Sequence, residues 1–478
     1  MSWSRLRASG DGAEDERADD EQQRGDEAPG RGASWRVMHD GGVAPRDPYP
    51  QGAASSPARH WADRRLHLIG MGGAGMSAYA LAAHALGAQV TGSDRAWSPY
   101  AERLREQTGI RTIVGHRAEN VPDGDDVEVV HSTAIAPDNP ERVAARERGL
   151  SDRPRAELLG EIAATRRVIA VAGAHGKTTT AAMIAVALRG AGLDPSWIVG
   201  GEVRDLGSNA GWNEGEWLVA EADESDRSFL ALAPEIAVVT NVELDHHHTY
   251  GSRAQLDDAF RTFLAQSQRA VIWDRPELLA LAGDIEVFRF DVDVDLPLRV
   301  PGEHNRRNAA AALLACELAG ADGLRSREAL SAFVGAKRRF EELGTTASGA
   351  RVVDDYAHHP TEVAATIAAA RSQNPARVVV AFQPHLFSRT RELATTFGEA
   401  LAAADRSFVL PVYPARERQE DFPEVSSRLI AADAHPESFE EAARLLEAEL
   451  GAGDLCLVMG AGDVDTLGRM LAGGGEPR

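Results

Sequence analysis

Lysine is nearly absent from this chain: of 51 basic residues among 478, only Lys177 and Lys337 are not arginine. Where arginine serves almost every other cationic position, a lysine suggests a need for a compact point charge. Cysteine is as scarce. Cys316 and Cys456 both lie in apolar segments, which argues against a disulfide framework and fits a reducing cytoplasm. No apolar run approaches the roughly 20 residues that a membrane-spanning helix requires, and the N-terminus is polar rather than signal-like. Positive charge is in deficit overall. A formal charge of −22 argues against general nucleic-acid binding and means that an anionic substrate needs a locally positive site. Residues 1–62 carry few aliphatic side chains among Gly, Asp, Glu, Arg, Gln and Pro, so this extension is expected to remain disordered.

The rest is globular in composition, and too long for one ordinary core. Its most telling stretch is the apolar β-branched run 168–172, followed by Gly173-Ala174-His175-Gly176-Lys177-Thr178-Thr179-Thr180. This pattern predicts strand, phosphate loop, helix. Glycines let successive N–H groups converge on an anion, the helix N-terminus adds partial positive charge, and Lys177 adds a full one. Thr178 or Thr179 can hold a magnesium ion.

A second glycine turn comes earlier. Leu66–Ile69 reads as a strand entering Gly70-Met71-Gly72-Gly73-Ala74-Gly75, then a helix, then a strand ending at Asp94. That is the dinucleotide fingerprint with its acid about 20 residues on, which serves either helix packing or the diphosphate of NAD, FAD or a nucleotide sugar. Further αβ units follow, including a strand that runs into Ser132. Downstream of the phosphate loop, a strand over 216–220 delivers Glu221, Asp223, Glu224 and Asp226. A solvated acidic loop is the simpler account. At a strand end in a phosphate-loop domain, however, such acids are placed to bind metal or substrate. The strand 236–240 releases Asn241 and then three histidines, of which one is expected to reach the active site with the others exposed; adjacent residues rarely share one zinc ion. An alternating apolar and acidic stretch, 288–300, suggests an edge strand, and residues 301–305 turn into a helix from Asn308 to Leu318. Beyond about residue 322 a regular αβ alternation implies a parallel sheet. Its strand ends carry Asp355, His358 and His359, then His385, Arg389 and Arg391, then Tyr413.

Together these motifs resemble the Mur ligases. The resemblance runs from about residue 65 to 467 and rests on GMGGAGMS at 70–77, GAHGKTTT at 173–180, EADESD at 221–226, PGEHNRRNA at 301–309, RRF at 338–340, DDYAHHPTE at 354–362, FQPH at 382–385 and VYPARE at 412–417. It implies an α/β chain in three domains: Rossmann-like at 63–155 for a UDP sugar, P-loop ATPase-like at 156–321 for ATP and Mg²⁺, and Rossmann-like at 322–478, closing over both. The implied partners are UDP-N-acetylmuramate and L-alanine, joined through an acyl phosphate, with no nucleic acid or membrane involved.

By resemblance the catalytic groups are Lys177, Glu221, His246 and Arg338, and the metal ligands Thr178, Glu221 and His246. ATP is expected at residues 173–179, His304, Asn308 and Arg338. Substrates are expected at Gly72, Gly73, Ala74, Gly75, Asp94, Ser132, Asp355, His358, His359, His385, Arg389 and Arg391. Ala174 stands where the family usually has threonine, Leu386-Phe387 where many members have Arg-Tyr, and the stretch 274–300 is shorter than usual. The alternatives are a ligase for another amino acid or peptide, a non-catalytic nucleotide-binding relative, and an oxidoreductase built on the Gly70–Gly75 turn.

Overall fold

The computed structural model describes residues 60–243, 249–292 and 295–473. The extension before residue 60 and His246 lie outside them. The described chain begins with a 3-10 turn, Trp61–Asp63. Trp61 packs on the first core with the Arg64 guanidinium 4.4 Å from its ring centre, so packing starts ahead of residue 63.

The described residues form three sheets in chain order. The first contains β1 (Arg65–Ile69), β2 (Gln89–Asp94), β3 (Ile113–Val114), β4 (Val127–His131) and β5 (Ser151–Pro154), all parallel, in the order β3-β2-β1-β4-β5. Strand order reverses beside β1, and an open parallel sheet binds ligands outside the strand ends at such a reversal. The Gly70–Gly75 turn occupies that position. Helices α1 (Ala74–Ala85), α2 (Pro99–Thr108), α3 (Pro140–Glu147) and α4 (Arg155–Ala163) accompany this sheet. The start of α2 shows why boundaries were legible: the Ser98 hydroxyl accepts the Ala101 N–H at 3.0 Å, Pro99 opens the helix, and Gly109 closes it at φ +77°.

A buried network in this domain had no sequence signal. Glu141, on the inner side of α3, is fully buried and faces His67 Nε2 at 2.9 Å, the Ser93 hydroxyl at 2.6 Å and the Asn120 amide at 2.8 Å. Burial alone would raise its pKa, but the hydrogen bonds from His67, Ser93 and Asn120 outweigh burial and hold it at about 2. The Ser93 carbonyl in turn accepts the Gly70 and Met71 N–H groups, so the network backs the glycine turn. A folded-state pKa below the ordinary 4.5 means that the stabilisation is present above pH 4.5 and fades as pH falls towards 2. Its size is ~3 kcal/mol. Glu141→Ala is expected to cost ~3–5 kcal/mol at neutral pH, since it strands buried polar partners, and to flatten the acid limb of a denaturant-unfolding profile against pH. An unchanged acid limb would place the acid sensitivity elsewhere.

The middle sheet contains β6 (Arg167–Ala172), β7 (Ser196–Val203), β8 (Ser208–Gly211), β9 (Trp217–Glu221), β10 (Ile236–Val239), β11 (Arg269–Trp273) and β12 (Glu286–Phe290), in the order β12-β11-β10-β6-β9-β7-β8. All pairs are parallel except the β7–β8 hairpin. That hairpin was not expected; Gly200-Gly201 and Ser208-Asn209 dilute its apolar pattern. The expected edge strand at 288–300 is β12, displaced to Glu286–Phe290. Helices α5 (Lys177–Gly190), α6 (Arg253–Ala265), α7 (Pro276–Leu279), α8 (Glu303–Leu318) and α9 (Gly323–Ala332) complete the domain. α5 is buried on every side from Thr178 to Leu188, because the sheet, α8 and α9 all pack on it. The boundary expected at 322 moves accordingly: Leu330 and Phe333 are buried with Met183 and Ile184 in the middle core, so the third domain starts after Phe333.

The third sheet contains β13 (Glu341–Thr345), β14 (Arg351–Asp355), β15 (Val378–Phe382), β16 (Arg406–Val409) and β17 (Leu455–Met459), in the order β13-β14-β17-β15-β16, with β13 the antiparallel edge. Its helices are α10 (Pro360–Arg371), α11 (Phe387–Leu401), α12 (Phe439–Glu449) and α13 (Asp465–Leu471). No described helix is long and apolar enough to cross a membrane.

Candidate active site

β6 and β10 end side by side, with Ala172 opposite Val239, and the phosphate loop leaves from that point. The strand-end residues of β10 clamp it. Asn241 Oδ1 accepts the His175 N–H at 2.9 Å, and the Thr240 hydroxyl and Asn241 amide donate to the His175 carbonyl at 2.7 and 2.8 Å. Gly176 has φ +80°, and a Cβ there would lie 2.8 Å from Asn308 Oδ1, so both backbone and space require glycine.

Lys177 is not the exposed loop residue a glycine turn suggests. Its side chain is 12% exposed; Nζ donates to the Gly173 carbonyl at 2.7 Å and to Glu224 at 3.0 Å. Burial would lower its pKa, but Glu224, Asp223 and Glu221 raise it, so it stays charged. Burial pushes Glu224 up to about 7 against the pull of Lys177.

The four carboxylates after β9 have different partners. Asp223 and Asp226 both pair with Arg155, at 3.3 and 2.7 Å. Glu224 pairs with Lys177. Glu221 turns to the threonine that follows Lys177: its oxygens take the Thr178 hydroxyl at 3.0–3.1 Å and the Gly200 N–H at 2.6 Å. A hydroxyl and a carboxylate converging in this way offer the hard oxygen donors that Mg²⁺ prefers, so these residues fit the ion. Arg155 itself was not anticipated; it opens α4 in the segment joining two domains and had no motif around it.

On the first domain, Gly72, Gly73, Ala74 and Gly75 form the turn into α1. Asp94, expected among the substrate-binding residues, accepts the Gly72 N–H at 2.9 Å and so braces the turn. Ser132 follows β4, and its N–H donates to the Ile69 carbonyl at 3.1 Å. The middle domain reaches this turn through Asn209, whose amide donates to the Ala74 carbonyl at 2.8 Å.

The third domain faces the loop through α10. His175 Nδ1 lies 3.3 Å from Glu362 and its Nε2 lies 3.3 Å from Glu243; burial lowers the imidazole pKa, but these two carboxylates raise it to about 9. Thr361 donates to Glu243 at 2.8 Å, and the His359 ring sits 4.7 Å from that of His175. Arg338, expected at the phosphates, is instead committed to its own domain. It contacts Asp354 at 3.1 Å and the carbonyls of Gly460 and Gly462 at 2.7 Å each. The next residue faces the loop: Arg339 pairs with Glu362 at 3.6 Å, and although burial lowers its pKa, Glu362, Asp355 and Glu221 raise it. Two adjacent arginines in one motif cannot be told apart by type.

Asp355 is also engaged locally, accepting the N–H groups of Phe340 at 2.7 Å and Ala357 at 2.9 Å. His358, His385 and Arg389 do come together: the two histidine rings are 6.1 Å apart, and Arg389 Nη1 is 3.3 Å from His385 Nδ1. Tyr413 stacks on His385 at 5.8 Å. Arg391 points elsewhere, towards Glu392 and the Phe422 ring. His304 and Asn308 lie on one face of α8, not in the turn before it. Burial, and then Arg307, lower His304 to about 4, so it is neutral at pH 7.

Comparison with known proteins gives matches along nearly all of the described chain. Family profiles described as Mur ligase family, catalytic domain, as Mur ligase middle domain and as Mur ligase, glutamate ligase domain match residues 65–167, 171–293 and 338–462. The chain is 46% identical over 451 residues to the UDP-N-acetylmuramate–L-alanine ligase of Kineococcus radiotolerans, covering 84% of this chain and 94% of the relative. It is 42% identical over 448 residues to the ligase of the same name from Streptomyces coelicolor, covering 84% and 96%. The crystal structure of UDP-N-acetylmuramate-alanine ligase from Thermotoga maritima superposes with a TM-score of 0.71 at 29% identity, covering 85% of this chain and 98% of that one.

Proposed function

Because the chain belongs to the Mur ligase family, we propose that it uses ATP to join L-alanine to the carboxylate of UDP-N-acetylmuramate, forming ADP and phosphate in cytoplasmic peptidoglycan precursor synthesis. One observation carries this reading. Lys177, Glu221 and Thr178 of the middle domain meet α10 and Arg339 of the third at one locus, as transfer between two anions requires.

In the first step a carboxylate oxygen attacks the γ-phosphorus and the bond to ADP breaks. In the second, the alanine amine attacks the acyl carbon, phosphate leaves, and the amine loses a proton. Lys177 and the N-terminus of α5 hold the phosphates. Thr178 and Glu221, with His246, would hold Mg²⁺, which when bound neutralises charge between carboxylate and triphosphate. Neutral His304, with Asn308, suits the adenine. The turn at Gly72–Gly75 and Ser132 receives the UDP sugar, and Arg339 supplies positive charge from the third domain.

ADP release from the purified chain tests this. It should require UDP-N-acetylmuramate and L-alanine together; equal release with alanine omitted, or with only a peptide as acceptor, would overturn the assignment. Within the site, Arg389 is buried beside His385, which supports assigning it to the alanine carboxylate. Arg389→Ala should raise the alanine KM by about one to two decades, the worth of one charge-assisted contact, with little change in the ATP KM. Arg391→Ala should leave both near normal. Equal effects of the two substitutions would remove Arg389 from the amino-acid site.

A further inference from the structure

Three side chains at the seam of the middle and third domains form a cluster to which the two chemical steps above assign no role, although His175 lies in the expected ATP loop and His359 among the expected substrate residues. Among the described residues, His175, Glu243 and His359 are the group whose ligating atoms lie within 4.8 Å of one another. We propose that they form a site for a divalent transition-metal ion of the zinc class, separate from the magnesium position at Thr178 and Glu221, and that the ion pins the third domain to the phosphate loop.

The spacing supports this. Tetrahedral zinc with bonds of about 2.0–2.1 Å keeps its ligand atoms roughly 3.3–3.4 Å apart. His175 Nε2 and Glu243 Oε2 are 3.3 Å apart, and His359 Nδ1 is 3.8 Å from the same oxygen. Small side-chain shifts close the remaining distances. The supporting contacts are also those of a metal site. His175 presents its other nitrogen, Nδ1, to Glu362 at 3.3 Å, the arrangement in which a carboxylate orients a ligating imidazole. The Thr361 hydroxyl holds Glu243 at 2.8 Å. Two imidazoles and one carboxylate select zinc over magnesium, which prefers oxygen alone.

As the ion binds, a proton leaves His175 Nε2 for solvent. His359 Nδ1 gives up a long contact, 3.4 Å, from the Thr361 N–H. Glu243 is 37% exposed, which leaves a face open for water as fourth ligand. The ligands come from both sides of the seam: His175 from the phosphate loop, Glu243 from the end of β10, and His359 from the cap of α10. An ion there must be released before the domains can separate, so zinc should act as a brake on turnover.

The test is Zn²⁺ alone, titrated into the full chain in Mg²⁺-containing buffer against a chromophoric chelator. X-ray absorption of the loaded protein should report two imidazoles with oxygen ligands. One tight site is expected, weakened at least tenfold by Glu243→Gln and by His359→Gln. It should be unchanged by Glu221→Gln and by the double substitution His247→Gln/His248→Gln. Zn²⁺ should also slow proteolysis of the 334–340 linker in the unsubstituted chain but not in Glu243→Gln. Glu243→Gln is near-isosteric, so a folding defect is not expected to mask the result. Failure to bind one equivalent, retention of affinity in Glu243→Gln, or loss of affinity in the His247/His248 variant would each overturn the site.

Discussion

Replacing Lys177 by alanine is expected to reduce turnover by about a thousandfold or more, ~4 kcal/mol of lost transition-state stabilisation, which is the scale for one preorganised charge at a transferring phosphoryl group. The structure adds a complication that the motif did not carry. Lys177 is buried against Glu224, so its removal strands a carboxylate already pushed up to about 7. Stability should therefore fall as well, by ~1–3 kcal/mol as Glu224 takes up a proton. The double substitution Lys177→Ala/Glu224→Gln separates the two effects. Its melting temperature should recover towards that of the original protein, whereas its ADP release should stay at the level of the single variant. Recovery of turnover in the double variant would mean that Lys177 acts by holding Glu224, not by holding phosphate.

Glu221→Gln should produce a loss of similar size by a different route. Glutamine keeps the shape and an oxygen for the Gly200 N–H, now at 2.6 Å from the carboxylate, but it removes the charge beside the Thr178 hydroxyl. The fold should be retained, with a melting temperature close to the original. Nucleotide binding without Mg²⁺ should persist through the loop amides and Lys177. The strengthening of that binding by Mg²⁺ should disappear, and no Mg²⁺ concentration should restore turnover. Calorimetric titration of ATP with and without Mg²⁺, beside ADP release, reads both quantities. A Mg²⁺ response like that of the unsubstituted chain would move the metal away from Glu221.

The two substitutions probe residues that were legible in different ways. Lys177 and the glycines around it stand out by type, since only glycine tolerates φ +80° with Asn308 packed against it. Glu221 was one of four carboxylates in six positions, and nothing local distinguishes it from Asp223, Glu224 or Asp226. Arg155, 66 positions before Glu221, makes the distinction by taking two of them. In the same way Arg338 and Arg339 share one motif, yet the turn at Arg338, φ +58°, sends the first into the Gly460–Gly462 loop and the second towards Glu362. Asp94 and Asp355 had the expected positions at strand ends, but backbone N–H groups nearby occupy their oxygens.

Local chemistry in the chain was enough to place the strand-loop-helix units and the two glycine turns, because each depends on side chains within a few positions of one another. The edge strands β8 and β13, and β7 beside β8, have weak apolar patterns, depend on a neighbour to complete their hydrogen bonds and left little trace. Packing set the third domain's boundary, where Phe333 finds its core, and it set which charges meet across the seam at His175. Those pairings join residues more than 60 positions apart. They form only after burial has made an unpaired charge costly, a condition that exists in the folded protein and nowhere along the extended chain.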